Sequence, residues 1–345
     1  QHRGFYSPLS DGPGRPWDRV HERAPGLPMI ALGETATMKG SSPQALQAMR
    51  NLHSVLYLYE DTVPFLARQI MRAAEDYLDN LLPPFFKALT RHAERSAYSW
   101  HTPGHAGGVG FLKSPVGYAL HEFFGENTVR SDLSISVPEL GSLLDHTGPI
   151  KEAEAYAAQV FGADHTYFVT NGTSTANKIV WHSMAGRGDL VIVDRNCHKS
   201  LLHSLIMTGA TPIYFTPSRN DYGIIGPIAL EQFSPAAIKK KIEASPIARN
   251  HKGSVRIAVV TNSTYDGLCY NAERIKAVAA NQVDALHFDE AWYAYAAFHE
   301  FYAGRHAMGV PRGHPRADHT LVFATHSTHK LLAAFSQASM IHIQE

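Results

Sequence analysis

Cysteine is nearly absent: Cys197 and Cys269 are the only two in 345 residues. No disulfide framework is implied, and a reducing cytoplasm fits. No uninterrupted apolar run reaches the ~18 residues of a membrane span, and residues 1–30 lack the charged-then-apolar pattern of a signal peptide. Charge of neither sign is in excess, since 31 Lys and Arg offset 31 Asp and Glu. The basic stripe of a nucleic-acid-binding protein is therefore not indicated. Repeats and low-complexity tracts are missing as well. What is present is an ordinary soluble composition, 44% hydrophobic, of a length that suggests about two domains on the ~150-residue prior. Histidine is abundant, with 21 copies, which raises the chance of titrating or catalytic roles. The chain starts with Gln1 and stops 15 residues after Lys330, and both features suggest a piece of a longer protein.

Residues 1–26 are rich in Gly, Pro and Arg without periodicity and read as an arm or loop. Leu27–Leu32 and Leu52–Tyr59 are apolar runs of strand type, with a helix start at Ser41–Pro43 between them. Together they look like the tail of a small α/β domain. Pro64 to about Leu82 reads as an amphipathic helix with Phe65, Ile70, Ala74 and Leu78 among its apolar positions. A second short helix follows Pro83–Pro84. From Tyr98 onward short β-branched runs alternate with helical stretches, the α/β signature. The runs are Thr166–Thr170, Leu190–Asp194, Pro212–Thr216, Arg256–Val260, Leu286–Phe288 and Leu321–Ala324. The helices are Thr175–Met184, Ser200–Met207, Pro235–Ile242 and Ala272–Ala280.

Ligands of an open parallel sheet bind beyond the carboxyl ends of its strands, and the segments there are rich in reactive groups. Asn171-Gly172-Thr173-Ser174-Thr175 places hydroxyls and free N–H groups at a helix start, which suits a phosphate; a plain helix cap is the simpler reading. His198 follows the second run and could lie on an aromatic cofactor ring, or merely cap a helix. With His203 it also has the look of a metal pair, but a third ligand at suitable spacing is missing. Asp289 ends a buried apolar strand, where an acid is costly unless a cation meets it. A protonated pyridine nitrogen is such a cation; an N-cap is the alternative. Lys330 precedes the apolar stretch Leu331–Phe335. Burial there lowers an amine's pKa and makes it nucleophilic, whereas a lone lysine is more often a surface residue whose stem lies on apolar neighbours. Each signal alone is weak. Together they amount to a phosphate cradle, a ring surface, a ring-nitrogen acid and a nucleophilic lysine at one sheet edge, which is what pyridoxal 5′-phosphate (PLP) requires. The His101-Thr-Pro-Gly-His105 segment has a metal-like spacing, but Pro103 and Gly104 forbid the helix that would aim both rings at one ion. A structural or active-site loop is the better reading, and no metal is expected. Gly107-Gly108-Val109-Gly110 is not a dinucleotide fingerprint, because no strand precedes it in a βαβ unit.

The motifs at 168–178, 194–200, 261–267, 287–292 and 327–330 closely resemble the bacterial ornithine/lysine/arginine decarboxylases. His101–Gly108 and Gly141–Gly148 are further family-like signatures, and the likeness runs over roughly residues 27–345. The resemblance implies an α/β fold of PLP fold type I, the aspartate-aminotransferase-like large domain, at 98–345 with its C-terminal part missing. It implies the end of a receiver-like wing at 27–62 and linker helices at 63–97. It implies that Lys330 carries the cofactor as a Schiff base, that Asp289 pairs with the pyridine nitrogen and that His198 stacks on the ring. Gly172, Thr173, Ser174, Ser327 and His329 then belong to the phosphate environment, and Trp292 and Thr264 lie near the cofactor. The implied reaction is loss of CO₂ from arginine or lysine, less readily ornithine, with His329 or Lys330 returning the proton. The implied protein is a cytoplasmic homodimer or higher homo-oligomer without nucleic-acid or membrane partners, and this chain alone would be a poor catalyst. Three alternatives stay open: another fold-type-I PLP enzyme such as an aminotransferase, a PLP-fold scaffold without turnover, and a phosphate-binding α/β module unrelated to PLP.

Overall fold

A computed structural model describes residues 16–33, 52–95, 100–134, 136–279, 281–308 and 320–345. Residues 1–15 of the expected arm, the Ser41–Pro43 helix start, residues 96–99 at the expected linker border and residue 280 lie outside the described residues. The chain forms two compact units: the described residues up to Trp100 with 104–132, and residues 101–103 with 133–345.

In the first unit, α1 (Pro16–Arg23) is a helix where the sequence reading expected a loop. Pro16 is preset for a first helical position. Asp18 near the start and Arg23 at the end complement the helix dipole. Strands β1 (Ile30–Gly33) and β2 (Ser54–Tyr57) pair in parallel, Ile30 opposite Ser54. Two helices follow, α2 (Val63–Leu81) and α3 (Pro84–Glu94). The inward stripe of α2 is Leu66 and Ala73, seven residues apart. Phe65, Ile70 and Leu78, expected on the apolar face, are exposed instead. A periodicity of mixed apolar residues does not say which of two apolar faces is covered. Asp79 ties α2 to α3 by accepting Lys87 at 2.6 Å and Arg91 at 2.8 Å. Helices α4 (Pro115–Phe124) and α5 (Glu126–Ser131) complete the unit. His105 organises the glycine loop before α4: its Nδ1 accepts the Gly108 N–H at 3.1 Å and its Nε2 reaches Asp132 at 3.1 Å.

The second unit is a three-layer α/β body. Its elements in order are α6 (Gly148–Phe161), β3 (His165–Val169), α7 (Thr173–Met184), β4 (Leu190–Asp194), α8 (Lys199–Thr208), β5 (Thr211–Phe215), α9 (Pro235–Ala244), β6 (Val255–Thr261), α10 (Ala272–Ala279), β7 (Val283–Asp289), β8 (Leu321–His326), α11 (Thr328–Leu331) and β9 (Ser339–Gln344). The seven strands run in the order β3-β9-β8-β7-β6-β4-β5. The six runs expected from sequence all appear as strands. The seventh, β9, was not expected, and it is antiparallel to both neighbours. Its residues Ser-Met-Ile-His-Ile-Gln carry buried polar side chains where a strand pattern calls for apolar ones, so periodicity does not reveal it.

Alternate residues of the central strands feed two cores. Val191, Val193, Ile257, Val259 and Ala285 pack with Ala176, Val180 and Trp181 of α7 and Leu201 and Leu205 of α8. Leu190, Ile192, Ala258, Val260, Leu286 and Phe288 pack on the other face with Phe233, Ile238 and Ile275. Burial on both faces explains why β4 is apolar throughout until its terminal aspartate. In that packing Ile257 is completely enclosed. Ile257→Ala is expected to lower unfolding stability by ~2–5 kcal/mol and Ile257→Val by ~0.5–1.5 kcal/mol. Urea denaturation of the full-length protein checks this; equal effects of the two variants would contradict the packing.

Candidate active site

The carboxyl ends of β4, β6, β7 and β8 open on one cleft of about 590 Å³. Because β9 runs the opposite way, its first residue, Ser339, comes to the same edge. Gly172, Thr173, Ser174, His198, Asp289, Trp292, Ser327, His329 and Lys330 all line the cleft. Thr264, expected near the cofactor, does not. It is buried, and it closes a turn by donating its N–H to the Leu268 carbonyl and accepting the Leu268 N–H on its hydroxyl. Its neighbours Ser263 and Tyr265 are the lining residues.

One end of the cleft is the start of α7. Gly172 turns the chain at φ +78°, a value glycine adopts without strain, and the first N–H groups of the helix have no intrahelical acceptor. The Thr173 hydroxyl lies 2.6 Å from that of Ser327 and 2.9 Å from that of Ser339. Three buried hydroxyls beside a helix start make a cradle for a phosphate group. Ser339 escaped the sequence reading along with its strand. His329 adjoins this end, and its Nδ1 donates to the Ala338 carbonyl at 2.7 Å, which leaves Nε2 available.

Asp289 occupies the floor and is 4% exposed. Its Oδ2 accepts the Asn177 amide at 3.0 Å and its Oδ1 accepts the Ala291 N–H at 3.3 Å. Both donors are neutral. Burial raises its pKa, and the Asn177 and Ala291 hydrogen bonds and the charges of His198 and Lys330 only partly offset that. Glu290, the next residue, faces the other side of the sheet and shows the contrast. It accepts Asn262 Nδ2 and Ala307 N, both at 2.8 Å, and meets His326 Nε2 at 3.0 Å. Glu290 is satisfied by its own chain, whereas Asp289 has room in the cleft for a cation.

Lys330 is half-buried, with Nζ 4.5 Å from the Trp292 ring centroid. Burial lowers its pKa, opposed by Asp289. The cause differs from the one expected. The stretch after Lys330 is not a buried run, since Leu331 is half-exposed and Phe335 almost fully so. Asp289, His198 and Trp292 on the cleft side create the lysine's environment, and α11 is a single short turn. His198 caps α8, its Nδ1 accepting the Ser200 N–H at 3.2 Å and lying 2.8 Å from the Ser200 hydroxyl. Burial lowers its pKa too. The Cys197 thiol beside it is pushed up to about 12, chiefly by burial, so it is not a nucleophile at neutral pH. Asn177, Ser200 and Thr325 surround these groups. Sequence reasoning quoted the first two within motifs and gave them no role.

These groups fit PLP. An acid lacking a cation, a depressed lysine, an imidazole and a hydroxyl-lined helix start answer to its ring nitrogen, aldehyde, ring face and phosphate.

Comparison with known proteins agrees with the geometry. The family model for the major domain of ornithine, lysine and arginine decarboxylases matches residues 83–345. A lysine decarboxylase of Pseudomonas aeruginosa is 67% identical over 94% of this chain and 43% of its own length. The solved lysine decarboxylase A of that organism superposes with a TM-score of 0.84 at 66% identity, over 94% of this chain and 43% of the other. The biodegradative arginine decarboxylase of Escherichia coli is 46% identical over 95% of this chain, again 43% of its own length. This chain thus spans well under half the length of the relatives it matches. It belongs to the ornithine/lysine/arginine decarboxylase family.

Proposed function

We propose that the protein of which this chain is part removes the α-carboxylate of a basic amino acid, lysine first and arginine second, with PLP held in the cleft. The observation that carries this reading is the meeting of Lys330, Asp289, His198 and the Thr173 and Ser327 hydroxyls in one cleft, with Ser339 bonded to Thr173 behind them. The higher identity to a lysine than to an arginine decarboxylase supports lysine as substrate.

PLP, when bound, supplies an electron sink for the pair released as the carboxylate leaves. Lys330 Nζ is the amine that would join its aldehyde carbon, and burial lowers its pKa, which favours the nucleophilic neutral form. Asp289 would hold the proton on the ring nitrogen, so that positive charge sits where electrons are to be received. His198 and Trp292 bound the cleft with aromatic surface. Thr173 and Ser327, with Gly172 and Ser174, would hold the phosphate at the start of α7, and Ser339 would steady the Thr173 hydroxyl from behind. The proton that replaces CO₂ would come from Lys330 Nζ or His329 Nε2, the two exchangeable groups beside the hydroxyl cradle.

A homodimer or higher homo-oligomer is part of the proposal. Val116 and Phe123 of α4 are more than four-fifths exposed, as is Phe335, and soluble monomers rarely leave large apolar patches open. A cytoplasmic setting is proposed too. It is supported by two free cysteines and by the absence, among the described residues, of a helix long and apolar enough to cross a membrane.

Borohydride reduction of the PLP-loaded full-length protein, followed by peptide mapping, is expected to place the pyridoxyl label on Lys330, and Lys330→Ala is expected to take up no label. A label on Lys178 or Lys199 would overturn the assignment. Asp289→Asn is expected to retain cofactor but lose on the order of 10²–10³ in turnover, the size of a lost electrostatic contact to developing charge. A rate within a few-fold of the parent would reduce Asp289 to a structural cap.

The same side chain makes a prediction about pH. A carboxyl whose folded pKa is raised binds its proton more tightly in the folded than in the unfolded chain. Stability is therefore lost as pH climbs from the unfolded aspartate value, 3.8, through the folded one. In cofactor-free protein, Asp289→Asn is expected to remove that loss and to gain roughly 1 kcal/mol at neutral pH. Thermal melts from pH 4 to 8 measure it; a variant less stable than the parent throughout would contradict it.

A further inference from the structure

A continuous run of buried polar side chains leads from α7 through the sheet to the cleft. The Trp181 indole N–H donates to His287 Nδ1 at 3.2 Å. His287 Nε2 lies 3.0 Å from the Thr325 hydroxyl. That hydroxyl donates to Asn177 Oδ1 at 2.7 Å. Asn177 Nδ2 donates both to Asp289 Oδ2 and to the Ser200 hydroxyl, each at 3.0 Å. The Ser200 hydroxyl lies 2.8 Å from His198 Nδ1. Trp181, His287 and Thr325 have 0% exposure and Asn177 1%.

Each member between the ends can reverse. An imidazole can exchange tautomers, a hydroxyl can rotate and an amide can flip. The indole cannot, because it only donates. With Trp181 filling Nδ1, a neutral His287 carries its proton on Nε2 and gives it to Thr325. Complete burial without an acidic partner keeps His287 neutral, its pKa lowered to about 3. Thr325, having accepted, donates to the Asn177 carbonyl oxygen, and the amide must then present its NH₂ to Asp289 and Ser200. Ser200, having accepted, offers its proton to His198 Nδ1. A reversed chain would turn the Asn177 carbonyl against the Asp289 carboxylate. It would also set two protons against each other at His287 and Trp181.

We propose that Trp181, His287 and Thr325 are positioning residues for this site. They fix the direction of hydrogen bonding through Asn177, so that Asp289 is held as an acceptor for a cationic ring nitrogen, in accord with His198, whose Nδ1 already accepts the Ser200 N–H. The arrangement follows from the sequence spacing. Asn177 and Trp181 are four apart on α7, and His287 and Asp289 are two apart on β7, so both pairs fall on the faces that meet. The inference rests on the reading that the cleft holds PLP.

The test compares PLP with its 1-deaza analogue, whose ring nitrogen is replaced by C–H. Dissociation constants are measured by fluorescence quenching on full-length protein. The parent is expected to bind PLP more tightly than the analogue. Thr325→Val keeps the side-chain shape but removes the hydroxyl, and is expected to cut that preference about tenfold, one charge-assisted hydrogen bond's worth. Thr325→Ser keeps the hydroxyl and is expected to retain the preference. Trp181→Phe is expected to behave like Thr325→Val. A residue that only packed would rank the other way, valine tolerated and serine not. A parent preference left intact in Thr325→Val would overturn the positioning role while leaving the proposed function standing. A parent that does not distinguish the two ligands would overturn both.

Discussion

A carboxyl group taken out of water without a cation beside it is the constraint around which this site is organised. Asp289 is nearly inaccessible, and among the described residues its carboxylate accepts from the Asn177 amide and the Ala291 N–H alone. Neutral donors can orient a carboxylate, but they do not replace its lost hydration. The nearest positive candidates, Lys330 and His198, are themselves pushed toward neutrality by burial. Three ionisable groups thus share one cleft in which burial disfavours the charged form of each. A ligand carrying its own positive ring and its own phosphate would relieve that frustration. Glu290 satisfies its carboxylate internally one residue further on, so burial of an acid in this sheet does not by itself create a site.

Topology brings the parts together. The parallel strands deliver Asp194, Thr261, Asp289 and His326 to one edge, with loops beyond them that carry His198, Trp292 and Lys330. Helix α7 contributes through spacing: Thr173, Asn177 and Trp181 recur at intervals of four and lie on one face. That stripe reaches the hydroxyl cradle, the buried acid and His287 in turn. The antiparallel β9 inserts between β3 and β8 and brings Ser339 to Thr173.

Much of this was legible in the linear sequence. The central runs announce their parallel strands because both faces of β4, β6, β7 and β8 are buried, and their chemistry-bearing residues stand where strand ends must be. Lys330, Asp289 and His198 were found in this way. What was not legible has physical causes. The strand β9 buries Ser339, His342 and Gln344 beside Ile341, so the apolar pattern is interrupted by polar groups that find partners inside: His342 bonds to Thr166 at 2.7 Å and to His326 at 3.1 Å. The stretch Leu331–Phe335 looks like core, yet Leu331 and Phe335 are exposed, since composition does not say what partner a segment finds. Asn177 and Thr325 look like ordinary helix and strand residues, and their importance appears only when α7 is laid on β7 and β8. Thr264 has the opposite history. It stands in a motif of the site, and the turn it closes draws it out of the cleft.

The central claim is that Asp289 is an acid waiting for a cation that the cofactor brings. It is tested most directly by following the Asp289 carboxyl by infrared difference titration of full-length protein, with Asp289→Asn to assign the band. A protonation midpoint above the usual aspartate range is expected in cofactor-free protein, with a fall below that range when PLP is bound. A midpoint that stays in place or rises on binding would contradict it.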